Sequence, residues 1–425
     1  MRIDHLHLQN FKGFASAKFK FHPRFNLIVG ENGSGKTSLL DGLAVVAASW
    51  FLGIRGYDGR NIESDDIRRV ASTQGDTTKI EAQFPVVVRA QGLVTNATID
   101  WQRAVDSIDG RTTRTDAKDI QRRAQAAELS VRDGNPFVLP LISSYGAGRL
   151  WVPARDMRGA IDPTQSKPEG DSRFAGYLFS IDPRINFAEL FRWLAHERYV
   201  SLERGSDRFG FAAVKTAMKG CLERCVSLDY SVAEKTVVVE MDGRGQLPFH
   251  LLSDGQKVML ALAADIALKA AQLNPHLEDR VLQETPGVVM IDELDLHLHP
   301  RWQRHVVADL KKTFPSIQFF ATTHSPQVIG ETPHDEIILL HQDGSWTQPH
   351  QSVGLSTNQV LREIMQAPEI NLAMKQKFEA LFRAVESGDF TSARAQIVEI
   401  RRSGEDFPEL VEATGYMAAV EEAKS

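Results

Sequence analysis

The sequence predicts an α/β fold built on a buried parallel sheet, and three stretches predict it. "FNLIVG" is a continuous apolar run, followed by the loop "ENGSGKT" and the apolar helix "SLLDGLAVVAASWFLGI". "GVVMID" and "IQFFATT" are two further short apolar runs. Between them lies the helical pattern "HPRWQRHVVADLKKTF". A strand, a helix and a strand in that order give a parallel pair, because the helix carries the chain back across the sheet.

The flanking elements follow in order. "RIDHLHLQNF" and "AKFKFH" alternate apolar and polar residues and read as strand, turn, strand. "DTTKIEAQFPVVVRAQGLVTNATIDWQRAV" reads as antiparallel strands, an antiparallel β subdomain. "GRTTRTDAKDIQRRAQAAELSVRDG" suits a solvated helix or loop, and "PFVLPLISSYGAGRLW" returns to the core as a strand. Residues 152–184 are rich in Gly, Pro, Asp and Ser and read as an exposed loop. "INFAELFRWLAHERYVSLERG" and "FAAVKTAMKGCLERCVSL" form a helical insertion. "EKTVVVEM", "DGRG" and "QLPFHLL" form a hairpin, and "EIILLH" is a further strand. From about residue 352 the pattern is helical. Phe378, Leu381, Phe382 and Val385 share one helix face, and Ala393, Ile397 and Ile400 line a second helix. The expected organisation is a head over 1–350 and a short C-terminal helical region over 351–425. Within the head, 1–140 is an N-lobe with the glycine-rich loop, 141–250 the insertion, and 251–350 the remaining motifs.

The bulk numbers narrow the class. With 425 residues, 42% hydrophobic and 24% charged, the chain suits a soluble globular protein of two or three lobes. A formal net charge of −6 does not suggest a dedicated polyanion-coating protein, though it leaves room for a local basic groove. No apolar run is long enough for a membrane span, and "MRIDHLHLQNFKGF" lacks a signal-peptide core. The expectation is a cytoplasmic protein with no membrane partner. Cys221 and Cys225 fall at i and i+4 if "GCLERC" is helical; no zinc-spaced pair follows, so they read as two reduced thiols.

Four motifs carry chemistry. "GENGSGKT" fits G-x-x-x-x-G-K-[ST], the loop whose backbone N–H groups surround the phosphates of ATP. It offers Gly30, Asn32, Gly33, Gly35, Lys36, Thr37 and Ser38. Lys36 brings an ammonium to the β- and γ-oxygens, and the Thr37 hydroxyl is a ligand for Mg²⁺. "VVMIDELD" places Asp292 at a strand end to hold the Mg²⁺, and Glu293 to act as general base on water. "FFATTHSP" puts His324 at the end of the next strand, within reach of a γ-phosphate. "LSDGQ" sets Ser253, Gly255 and Gln256 at the start of an apolar helix. Such a start can bind an anion, but on these residues alone an ordinary N-cap is the favoured reading.

In this order the motifs resemble the ABC/SMC-type ATPase head, "LSDGQ" being close to the L-S-G-G-Q signature. "IDHLHLQNFKGF…FNLIVGENGSGKTSLLDGL" resembles the RecF, SMC and OLD branch. "IDELDLHLHP", "THSP" and "SYGAGRLW" are nearest the Septu anti-phage ATPases. The resemblance implies a Mg²⁺-dependent ATPase that forms a head-to-tail dimer or higher oligomer. In it Ser253 and Gly255 complete the nucleotide site of a second copy, and Lys12 approaches the nucleotide. It also implies regulation of an HNH-type partner nuclease, with DNA met directly or through that partner. Only about seventy residues follow the head, too few for the Toprim nuclease domain expected of OLD. The helical tail, Phe378–Ile400 and "FPELVEATGYMAAVEE", is the expected docking surface for the partner. The alternative is a RecF-like DNA-binding ATPase in repair. Against it, the basic residues between Arg103 and Arg123 are nearly matched by acidic ones. Asp254 departs from the signature by replacing a glycine. Tyr145 or Arg149 is expected near the nucleotide, with a surface ion pair as the other reading of Arg149. Asp295 falls in the family's interface turn, and His297 and His299 read as structural.

Overall fold

Alternation of buried and exposed positions pairs the first two strands, β1 (Arg2–Phe11) and β2 (Phe14–Lys20), as antiparallel neighbours. The fully buried run β3 (Phe25–Val29) instead enters a second sheet and leads into the helix α1 (Lys36–Ala47). The structure is a computed structural model and describes residues 1–57, 59–74, 77–149, 172–367, 372–402 and 407–422. Next come β4 (Arg69–Gln74) and β5 (Thr77–Ala82), a separate hairpin, then β6 (Val86–Val94) and β7 (Ala97–Val105). β6 and β7 complete a four-stranded antiparallel sheet in the order β2-β1-β6-β7.

The helix α2 (Lys118–Arg132) is amphipathic and buries Ile120, Ala124 and Ala127. β8 (Leu141–Tyr145) returns to the core sheet. Of the loop expected over 152–184, residues 152–171 lie outside the described residues; Arg173–Tyr177 form a 3₁₀ turn. The helices α3 (Phe187–Arg204) and α4 (Phe209–Gly220) follow. Then β9 (Cys225–Ser231), β10 (Thr236–Met241) and β11 (Gly245–Pro248) make a small antiparallel sheet, which includes the expected hairpin. The helix α5 (Asp254–Leu273) is buried nearly all round, as a helix apolar on every face must be.

The core sheet closes with β12 (Gly287–Ile291), β13 (Ile317–Thr322), β14 (Ile337–Leu340) and β15 (Trp346–Thr347). Its order is β15-β14-β3-β13-β12-β8. Every pair is parallel except the β14–β15 hairpin. The expected strand–helix–strand unit is therefore β12, the helix Val306–Thr313, and β13. α1 lies between the two large sheets, touching β12 and β13 on one side and β1, β6 and β7 on the other. The buried Trp101 of β7 donates its indole N–H to the Val46 carbonyl at 2.9 Å, tying that sheet to the end of α1.

The chain divides into two compact units, Met1–Thr357 and Asn358–Ser425. In the second, the helices Leu372–Glu386, Phe390–Arg401 and Pro408–Glu422 share one apolar core. Phe378, Leu381, Val385, Ala393, Ile397 and Ile400 are buried in it with Leu410, Ala413 and Met417. The apolar face expected to meet a partner is therefore covered by the tail's own helices. Among the described residues, Val398, Val411 and Tyr416 are the large apolar residues exposed there.

The cysteines also need correcting. α4 stops at Gly220, so Cys221 caps that helix while Cys225 opens β9; they do not share a helix face. Both are free and buried. Burial pushes the Cys221 thiol up to about 12 and raises that of Cys225. Thiolate is the reactive form, so neither should react with iodoacetamide in the native chain at about pH 8, and both should react in guanidinium. Mass spectrometry of the alkylated chain checks this; rapid native labelling of Cys221 would contradict the packing.

Candidate functional site

Parallel pairing brings the carboxyl ends of β3, β13, β12 and β8 to one edge of the sheet, where open α/β sheets bind ligands. Gly30, Asp292, Thr322 and the turn after Tyr145 all meet there, although the sequence spreads them over nearly three hundred residues.

The loop after β3 is shaped by its glycines. Gly35 sits at φ +99°, and a Cβ on it would lie 2.9 Å from the Phe14 ring. Both the dihedral and the aromatic floor therefore demand glycine. Asn32, Gly33 and Thr37 are exposed and Ser38 is half-buried. Lys36 is folded into the loop. Its Nζ donates to the Gly30 and Glu31 carbonyls, each at 2.9 Å. Burial lowers its pKa, while Asp292 and Glu293 act in the opposite sense. The Ser34 Oγ is buried with no hydrogen-bond partner among the described residues. An ammonium with a donor to spare, an unpartnered hydroxyl and a glycine-rich loop fit a phosphate.

Asp292 joins three strands. The Thr37 hydroxyl donates to its Oδ2 at 3.1 Å, and the Thr322 hydroxyl to its Oδ1 at 2.5 Å. Its own N–H donates to the Tyr145 carbonyl at 2.8 Å. Carboxylate and hydroxyl oxygens are the donor set Mg²⁺ prefers, so Thr37 and Asp292 fit that ion. Glu293 stands next at φ +50°, a conformation that costs a non-glycine residue roughly 1–3 kcal/mol. Its N–H donates to the Thr322 Oγ1 at 2.7 Å.

His324 is exposed, and its N–H donates to Asp295 Oδ1 at 3.3 Å. The Thr323 hydroxyl donates to the same oxygen at 2.5 Å. His299 caps the short helix Pro300–Gln303 through a bond from the Arg301 N–H, a structural role. Among the described residues no group of histidine, cysteine and carboxylate side chains is arranged to hold a metal.

At the start of α5, Ser253 is an N-cap and makes a capping box with Gln256. The Ser253 N–H donates to the Gln256 Oε1 at 2.9 Å, so that amide turns back into the cap and is buried. Gly255 is required by close approach: a Cβ there would lie 2.5 Å from the His297 carbonyl oxygen. No hydrogen bond joins the Ser253 turn to residues 30–38 among the described residues. Asp254 is exposed beside Lys257.

Sequence reasoning missed a charge cluster. Lys12, at φ +48°, donates to Asp41 and lies 3.4 Å from Asp66 Oδ1. Arg60 meets the same two carboxylates at 2.6 and 3.4 Å. Asp41 is one turn along α1 from Thr37, so Lys12 stands beside the phosphate-loop helix with its charge already balanced. Of the two residues expected near the nucleotide, Tyr145 is drawn into the core and Arg149 sits against the Asp292–Glu293 turn. The Tyr145 hydroxyl donates to Asp265 of α5 at 2.6 Å in the core. Arg149 is buried, not a surface ion pair, and donates to the Asp292 and Glu293 carbonyls. Two hydroxyls ending the run "FFATT" were a signal for Thr322; Arg60 lay in a stretch with no periodicity.

This arrangement can be set beside known proteins. The sequence pattern of the family described as "AAA domain, putative AbiEii toxin, Type IV TA system" matches residues 25–330. The chain belongs to that AAA family. Its AAA domain spans the phosphate loop, the α5 start, the Asp292–Glu293 turn and His324, and the chain is an ATPase. "Retron Ec83 probable ATPase" of Escherichia coli is 26% identical, over 87% of this chain and 77% of its own. "Septu protein PtuA" of Bacillus thuringiensis is 23% identical, over 80% of this chain and 76% of its own. A solved SMC head, bound to the C-winged helix domain of ScpA, aligns at 18% identity and a TM-score of 0.48. That alignment covers 82% of this chain and 97% of the other. Among the described residues no helix is long and apolar enough to cross a membrane.

Gly35→Ala is expected to weaken ATP binding by at least about tenfold, since loop and Phe14 must both shift. Titration with a fluorescent ATP analogue measures it. Undiminished affinity would mean the loop conformation is not the binding one.

Proposed function

We propose that the chain binds Mg-ATP at this edge, hydrolyses it, and uses the bound state to join two copies head to tail. The joined form regulates a partner nuclease of HNH type in antiviral defence. The observation that carries the reading is the meeting of Lys36, Thr37, Asp292 and Glu293 at one sheet edge.

Lys36 and the loop N–H groups, including those of Asn32, Gly33 and Ser38, grip the β- and γ-phosphates. Thr37 and Asp292 hold Mg²⁺, which supplies positive charge to the phosphate oxygens when bound. Glu293 takes a proton from water as its oxygen bonds to the γ-phosphorus. The bond to the β–γ bridging oxygen breaks, and ADP and phosphate leave. His324 touches the γ-phosphate, and Lys12 turns toward the nucleotide from its cluster. Ser253 and Gly255 of the second copy close the site through the N-terminus of α5. Asp254, in place of the signature's glycine, works against this closure, because a carboxylate at that helix start repels an arriving phosphate.

The Septu relative and the resemblance of "IDELDLHLHP" and "SYGAGRLW" support the defence setting. DNA bound by the chain itself, as in RecF-like repair, is the second reading. One observation favours it. Lys18, His7 and Arg89 are cross-strand neighbours on β2, β1 and β6, and Lys20 pairs with His5. The stretch from Arg103 offers no such track: Arg103 is buried, and Arg122 pairs with Asp119. Salt-dependent duplex binding by the isolated chain would move the proposal to that reading.

Two measurements test the main reading. Glu293→Gln should keep ATP affinity, lower hydrolysis by about a hundredfold or more, and accumulate a dimer on size exclusion. A mixture of Lys36→Ala and Ser253→Arg chains, each inactive alone, should recover about a quarter of native activity. Half the dimers are then mixed, and each has one intact composite site. No recovery would rule out the shared site.

A further inference from the structure

Arg149 lies on the turn after β8, where its side chain has 1% exposure, among the largest side chains buried so completely. A guanidinium there loses its hydration, and burial pushes its pKa down to about 10. A guanidinium buried in this way needs acceptors for its donors. Its Nη1 donates to the Asp292 carbonyl at 2.7 Å and to the Gly146 carbonyl at 3.3 Å. Its Nη2 donates to the Glu293 carbonyl at 3.0 Å. Asp292, Asp295 and Glu293 all act on it electrostatically. No carboxylate hydrogen-bonds to it among the described residues; its terminal nitrogens go to main-chain oxygens, which fixes backbone rather than pairing charge.

The backbone it fixes is the unusual one. Glu293 holds φ +50° without being glycine, and such a conformation lasts only if its surroundings hold both sides. On one side the Glu293 N–H is tied to Thr322 of β13. On the other its carbonyl is tied to Arg149. The preceding residue is tied as well, through Tyr145 at the Asp292 N–H and Arg149 at the Asp292 carbonyl. We infer that Arg149 is the positioning residue of the general base: it locks the Glu293 peptide and so fixes the direction in which the carboxylate leaves the backbone. This rests on the reading of Glu293 as the base. It adds a residue that touches neither phosphate nor water.

Lysine at 149 keeps the charge but cannot bridge two carbonyls with one fork. Arg149→Lys in the 425-residue chain should lower kcat by about ten- to a hundredfold, with KM for ATP within about twofold of native. In a Glu293→Gln background the same change should lower the residual rate hardly at all, because the base it positions is gone. Three results would overturn the inference: a native kcat, a KM raised in step with the loss of kcat, or an undiminished effect in the Glu293→Gln background. Should the lysine variant fail to fold, Gly146→Ala serves instead. Its Cβ would meet Pro183 Cβ at 2.8 Å and push the same turn. A fall in kcat at constant KM supports the inference, and native kinetics oppose it. A Glu293→Gln chain that hydrolyses ATP at the native rate would instead remove the base assignment itself.

Discussion

Thr37, Asp292 and Thr322 share one carboxylate, and the edge of the core sheet is organised around that sharing. An ionised carboxylate has several acceptor positions and no donor, so it can receive hydroxyls from a helix and a strand at once. Here one hydroxyl comes from the first turn of α1 and the other from the end of β13. A third strand, β8, holds the Asp292 peptide from behind. The order β3-β13-β12-β8 makes this geometry available, and it depends on three parallel pairings between segments far apart in sequence. Loss of the pairing would scatter the site, however well each motif kept its own conformation.

Polar groups buried away from the site extend the same bracing. Asp265 and Lys269 lie one turn apart on α5, 2.8 Å from each other, and they meet Tyr145 and Ser143 of β8. Buried charges persist when each is paired and hydrogen-bonded, and these are. The helix that begins at Ser253 is thereby joined to the strand that ends behind Asp292. The two ends of the candidate nucleotide machinery are connected through the interior of one molecule by four named side chains.

What could be read in the sequence was what is local. A continuous apolar run, a glycine loop and an apolar helix report burial and turn chemistry from adjacent residues, so β3, the loop and α1 were legible. The Asp292–Glu293 turn and β13 were legible for the same reason, and so was the alternation of β1, β2, β6 and β7. Partners distant in sequence were not. Nothing in "YGAGR" says that its arginine will bond two carbonyls 143 and 144 residues away. Arg60 and Asp66 gave no periodic signal, so their cluster with Lys12 and Asp41 stayed hidden. "GCLERC" looked helical because it continues a helical pattern, but the helix ends at Gly220. In the tail the helix faces were read rightly; their common interior was not, because a stripe of Phe378, Leu381 and Val385 looks alike whether its partner is a neighbouring helix or another protein.

The burial of α1 has a mechanical meaning. One sheet presses on each side of it, and Trp101 fastens its far end. A rod clamped in this way cannot slide or roll by itself. Whatever displaces Lys36 and Thr37 at its tip must carry both sheets with it, so a shift at the loop is transmitted as a tilt of one slab against the other rather than absorbed as local slack.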